Sequence, residues 1–110
     1  MEEVRLFDTA SRSVKPLSAS DGKALKFYAC GPTVYGPAHI GNFRTFVAQD
    51  LLVRVWQEAG GKVSHVRNLT DVDDKTIRGA REAKQKLGDF TQGWTDRFWK
   101  DGQALGLQKP

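Results

Sequence analysis

The sequence predicts an α/β fold: a parallel βαβ unit followed by further helices. Three observations carry that prediction. A long stretch with apolar residues at helical spacing, from Phe43 to Ala59, lies between two short strand candidates. Glycine-bearing pairs, Gly31-Pro32 and Gly60-Gly61, punctuate the ends of the first strand and the helix. Polar and turn-forming residues collect just after both strands, in segments 30–42 and 69–74.

Element by element, residues 4–7 form a short strand candidate, and residues 9–22, rich in Ser with Pro16 and Gly22, read as a loop. Residues 25–30 form a strand with Leu25, Phe27 and Ala29 on one face. After a turn-rich stretch comes the long helix. Phe43, Val47, Leu51 and Val55 recur every four residues, and Phe46, Leu52, Trp56 and Ala59 widen that stripe. Gly60-Gly61 caps its end. Residues 62–69 alternate poorly, but their place after a helix and a Gly pair makes them the closing strand. A helix over residues 73–86 follows, with Asp71, Asp73 and Asp74 suited to its positive N-terminal end. Gly88 then breaks the chain, and Phe90, Trp94 and Phe98 set a third helix over 91–105. There is no internal repeat. The ending Gly-Leu-Gln-Lys-Pro, just past a helix, reads as an interruption of a domain.

Composition narrows the class. With 39% apolar and 27% charged residues, three Trp and six Phe among 110 residues, the chain reads as globular, not disordered. Its net charge of +4 is a mild bias toward anionic partners. The single Cys30 excludes an internal disulfide and a secreted disulfide scaffold. Residues 1–8 lack the apolar run of a signal peptide, and no apolar run nears the ~18 residues of a membrane span. A cytosolic protein is expected.

A parallel βαβ unit puts the C-terminal ends of both strands at one sheet edge, where open α/β sheets bind ligands. His39, Gly41 and Asn42 fall at the start of the long helix, where backbone N–H groups are free and phosphate binds well. His39 and Asn42 lie three apart, on one face of the first turn, and both can donate to phosphate oxygens. Gly41 would let a flat ring approach the backbone. Taken alone, a His at a helix start is more often a cap or a surface residue.

The segments Phe27-Tyr28-Ala29-Cys30-Gly31-Pro32-Thr33-Val34-Tyr35, His39-Ile40-Gly41-Asn42 and Asn68-Leu69-Thr70-Asp71-Val72-Asp73-Asp74-Lys75 change that balance. In order and spacing they closely resemble cysteinyl-tRNA synthetases, as does the opening Leu6-Phe7-Asp8-Thr9. The resemblance runs over essentially the whole chain but covers only the first part of that family's length. It implies a partial Rossmann-like (HUP-type) nucleotide-binding domain, with residues 1–110 its incomplete N-terminal part. The implied chemistry is ATP-driven activation of cysteine to cysteinyl-adenylate and transfer to tRNA, with Mg expected alongside ATP.

By that resemblance Cys30 is one ligand of a zinc ion that binds the substrate thiolate; a soft metal tells a thiol from a hydroxyl where shape alone does so poorly. His39 and Asn42 are the catalytic pair, and with Gly41 they hold ATP. Asn42 stands for the last His of the family's His-Ile-Gly-His signature, a variant that also occurs among its members and that cannot carry charge. Gly31, Thr33 and Thr70 line the amino-acid pocket. Thr70 has a second, compatible reading as a helix N-cap, Asp73 lying three residues on. Asp71, Asp73 and Asp74 are read as helix-terminal acids, not as a Mg site, and His65 as structural. Gly36 departs from the Asp usual there. The remaining zinc ligands, the Lys-Met-Ser-Lys-Ser loop and the anticodon-binding region belong to later sequence of the family. These 110 residues are therefore expected to be inactive alone. Two alternatives stand beside this reading: the ligase joining cysteine to an amino sugar in mycothiol synthesis, and a non-catalytic RNA- or partner-binding module built on the same fold.

Overall fold

The computed structural model describes residues 1–110. Seven elements follow in order: β1 (Arg5–Asp8), β2 (Ser13–Pro16), β3 (Ala24–Ala29), α1 (Ile40–Glu58), β4 (Lys62–Arg67), α2 (Asp74–Glu82) and α3 (Leu87–Ala104). β3 and β4 pair in parallel, from Ala24 opposite Lys62 to Ala29 opposite Arg67, with α1 as the crossover. The βαβ unit is present where the sequence puts it. No helix is long and apolar enough to cross a membrane.

Strand alternation sorts the sheet into two faces. Leu25, Phe27 and Ala29 share one face with Val63, His65 and Arg67, and this face meets α1. Tyr28 and Val66 lie on the other and are exposed. Two apolar clusters hold the layers together, one at each end of α1. Val4, Leu25 and Trp56 form the first, with Val63 and Leu17 against them. Phe43, Phe46 and Phe98 form the second, joined by Ala38, Leu69, Trp99 and Leu107. In the second, Phe98 stacks on Phe43 at 5.6 Å and meets Phe46 edge-on at 5.2 Å. Such pairs contribute about 0.5–1.5 kcal/mol each beyond their burial.

The buried stripe of α1 differs from the four-residue repeat. Phe43, Phe46, Asp50, Val53 and Trp56 are buried, whereas Val47, Leu51 and Val55 are 45%, 60% and 44% exposed. A helix turns about 100° per residue, so a strict four-residue step drifts about 40° each time and leaves the core face. The buried stripe mixes steps of three and four. It also contains an acid: Asp50 accepts from Arg54 Nε at 2.6 Å and from the Gln108 backbone N–H at 2.9 Å. Those bonds tie α1 to the segment after α3 and satisfy the buried carboxylate.

Residues 9–22 are not all loop, since β2 pairs antiparallel with β1. All four β2 residues are exposed, so the hairpin has no buried face to leave an alternating pattern. The α2–α3 boundary also differs. α2 ends at Glu82, and Gly88 lies inside the first turn of α3. The stop is Lys84, in the left-handed region at φ 56. The N–H groups of Gln85 and Lys84 donate to Ala80 and Arg81 carbonyls, the two bonds of a Schellman cap. α1 and α3 end the same way, but with Gly60 and Gly106 at the left-handed position. A lysine there gives no sequence signal.

Two predictions follow from these local structures. Lys84→Gly removes the Cβ strain of the left-handed cap and is expected to stabilise the fold by about 0.5–1 kcal/mol, read by urea denaturation. The second concerns pH. Burial, and next the Arg67 charge, hold His65 below its ordinary value of 6.5. The unfolded chain therefore binds that proton first. His65's contribution is complete above about pH 6.5 and is lost as pH falls below it. Asp8 and Asp21 are also held low, mainly by hydrogen bonds from Ser11 and from Lys23 and Ala24, Asp21 to about 2. Their contribution is lost further down, below the ordinary carboxylate range. Denaturant midpoints should fall in two steps on acidification, and His65→Gln should remove the upper one.

Candidate functional site

The site residues gather where β3 and β4 run out. Past Ala29 the two strands stay stitched by backbone bonds. Asn68 N–H donates to Ala29 O at 3.3 Å, Thr70 N–H to Pro32 O at 3.0 Å, and Val34 N–H to Thr70 O at 3.0 Å. Thr33 and Thr70 thereby form an isolated parallel bridge beyond the named strands. Between them the Gly31 N–H donates to Asn68 Oδ1 at 2.7 Å. A Cβ on Gly31 would run into the Asn68 carbonyl and lie 2.9 Å from Arg67 Cγ. Gly31 is thus glycine because backbone meets backbone there. Gly31, Thr33 and Thr70 are brought together; Cys30, beside them, is exposed and free.

Thr70 is not the cap of α2. That role belongs to Asp73, whose carboxylate accepts from Thr76 N–H at 2.9 Å while Thr76 Oγ1 accepts from Asp73 N–H at 2.9 Å. Asp74 lies in the first turn, suiting the helix dipole. Lys75 reaches back to sit 5.2 Å over the Tyr35 ring, joining the start of α2 to the loop that leads to α1.

The start of α1 belongs to the same edge. Ala38, just before it, and Leu69, just after β4, both pack on the Phe43–Phe46–Phe98 cluster. His39 is the N-cap. Its Nδ1 accepts from Asn42 N–H at 3.2 Å, and Asn42 Oδ1 accepts from His39 N–H at 3.1 Å. A reciprocal cap of this kind satisfies two backbone donors at once. The backbone N–H groups of Ile40 and Gly41 make no bond, and the first turn contains no acid. The helix start thus offers free donors to an anion without an internal competitor. Gly41, expected to admit a ligand's flat ring, has His39's own ring over it: a Cβ there would stand 2.9 Å from His39 Cε1.

His65 stacks on Phe27 at 5.0 Å on the sheet face, two residues short of the strand ends by register. Asn68, expected as part of the closing strand and of a motif segment but given no role there, lies just past β4, and its side chain ties the two strand ends together. The edge is open. None of the five main cavities is lined by Cys30, Gly31, Thr33, His39, Gly41, Asn42 or Thr70. The most enclosed, about 590 Å³, lies instead between Arg67 and the C-terminal end of α3. For zinc the donor set does not fit: no three His, Cys, Asp or Glu side chains converge, and Cys30 is a single thiol.

Residues 16–110 match the family model described as tRNA synthetases class I (C) catalytic domain. The chain belongs to this family. Among curated relatives, proteins named cysteine–tRNA ligase are similar along nearly its full length. That of Opitutus terrae is 53% identical over 111 residues, covering 97% of this chain and 24% of the relative. Those of Protochlamydia amoebophila and Solibacter usitatus are 47% and 43% identical, covering 22% and 23% of their own lengths. The chain spans about a quarter of these class I synthetase relatives.

Gly31→Ala is the sharpest local test of the stitched strand ends. The added methyl group forces the two extensions apart and should cost about 1–3 kcal/mol, with amide-exchange protection lost first at Val34 and Thr70.

Proposed function

We propose that this chain is the N-terminal part of the catalytic domain of a cysteine–tRNA ligase, an enzyme that activates cysteine with ATP and transfers it to tRNA. The supporting observation is the meeting of three motif segments, around Cys30, His39 and Thr70, at one sheet edge of a class I synthetase chain. In this reading β3, α1 and β4 are the first βαβ unit of a Rossmann-like (HUP-type) nucleotide-binding domain, incomplete within residues 1–110. The setting is the cytoplasm, where tRNA is charged.

The roles follow from donor chemistry. His39 and the Asn42 amide donate to ATP phosphate oxygens, together with the free N–H groups of Ile40 and Gly41. Because Asn42 is neutral, it supplies hydrogen bonding without the charge a second histidine would add. Thr33 and Thr70, held side by side by their backbone bridge, line the amino-acid pocket with Gly31. Mg accompanies the nucleotide, and no carboxylate of this chain is assigned to it. Cys30 is a soft thiolate donor suited to zinc, but as one donor it does not form a zinc site by itself. Alone, the 110 residues should show no cysteine-dependent pyrophosphate exchange.

A chimera tests the proposal. Residues 1–110 replace the matching first segment of the Opitutus terrae cysteine–tRNA ligase, and cysteine-dependent ATP–pyrophosphate exchange is measured. The chimera should exchange, and His39→Ala within it should lower kcat by about 10²-fold or more. A folded chimera without exchange would rule the reading out.

A further inference from the structure

We propose that Gly41 and Asn42 are positioning residues that act through His39, fixing the imidazole in one tautomer with its single proton-bearing nitrogen turned away from the helix. This rests on the phosphate-binding reading of the α1 start given above. His39 Nδ1 accepts from the Asn42 backbone N–H, so in the neutral ring the proton sits on Nε2. Nε2 lies across the ring from Nδ1 and has no partner within the chain. It is therefore a donor without an acceptor, on the same helix start whose Ile40 and Gly41 N–H groups are also unbonded.

Two neighbours hold that arrangement. Asn42 Oδ1 accepts from the His39 N–H at 3.1 Å, closing the reciprocal cap and fixing the backbone from which the ring projects. Gly41 leaves the space the ring occupies, since a Cβ would stand 2.9 Å from Cε1 and 3.1 Å from Nδ1. A side chain at this position makes the ring shift from this placement, and a ring moved off its cap can carry its proton on either nitrogen. The Asn at position 42 thus has a use separate from direct contact with phosphate. Its carbonyl oxygen is spent on the cap, which leaves its amide NH₂ facing outward as a donor.

The tautomer is directly measurable. Histidine ring ¹⁵N shifts of the 110-residue chain are recorded above the imidazole titration, with His65→Gln separating the two rings. The expected result is an unprotonated, hydrogen-bonded Nδ1 and a protonated Nε2 for His39. Gly41→Ala should average the two nitrogens, and Asn42→Ala should move them partway; far-UV circular dichroism checks that each variant folds. Tripolyphosphate should shift the Ile40 and Gly41 amides, with about five-fold weaker affinity in Gly41→Ala, the effect of one lost hydrogen bond. A protonated Nδ1 in the parent chain overturns the proposal. So does an unchanged signature in the folded variants, or equal tripolyphosphate affinity in Gly41→Ala. If Gly41→Ala fails to fold, the Asn42→Ala signature decides. The expected tautomer with no amide response to tripolyphosphate would instead count against the phosphate reading itself.

Discussion

Phe98 packed against Phe43 and Phe46 is the contact on which the open edge depends. It joins the first turns of α1 to α3, and Ala38 and Leu69 close over the same cluster. The residue before the helix cap and the residue after the closing strand are thereby held against one apolar surface. Backbone bonds hold the first part of the β3–α1 loop beside the end of β4, and the aromatic cluster brings the start of α1 to the same place. Segments far apart in sequence, around 30, 39 and 70, share one edge because main-chain bonds join the first to the last and three aromatic rings leaving water together bring in the second.

The edge itself is built from backbone more than from side chains. Gly31 lies against the Asn68 carbonyl, Thr33 and Thr70 bridge through their main chains, and Val34 is buried at 1% exposure beneath them. The exposed Cys30 thiol and the free donors of α1 thus stand on a rigid frame. Side chains positioned by packed backbone hold their geometry better than side chains on a free loop. His39 and Asn42 follow the same rule on a smaller scale, each bonding to the other's main chain.

Some of this was legible without coordinates. The βαβ order, the shared face of Leu25, Phe27 and Ala29, the Gly60 cap and the clustering of polar residues at the strand ends all follow from periodicity and turn chemistry. The misses share a cause: each needed a neighbour not adjacent in sequence, or a backbone shape a residue type does not advertise. β2 has no buried face to pattern it. Lys84 adopts a conformation that glycine normally marks. The buried α1 stripe includes Asp50, whose burial depends on Arg54 and on Gln108 arriving from beyond α3. Thr70 was open between two roles, and the reciprocal bonds of Asp73 and Thr76 excluded one of them.

The local order of the chain and the family of its motif segments are already written in the residues, because spacing, glycine placement and residue chemistry are short-range properties. Which donors are spent and which are free is settled by the folded arrangement alone. Whether the His39 ring faces a ligand or its own helix, and whether Gly31 serves a pocket or a backbone contact, depends on distances of a few ångströms between segments. Those distances are set by packing, which the order of residues does not contain.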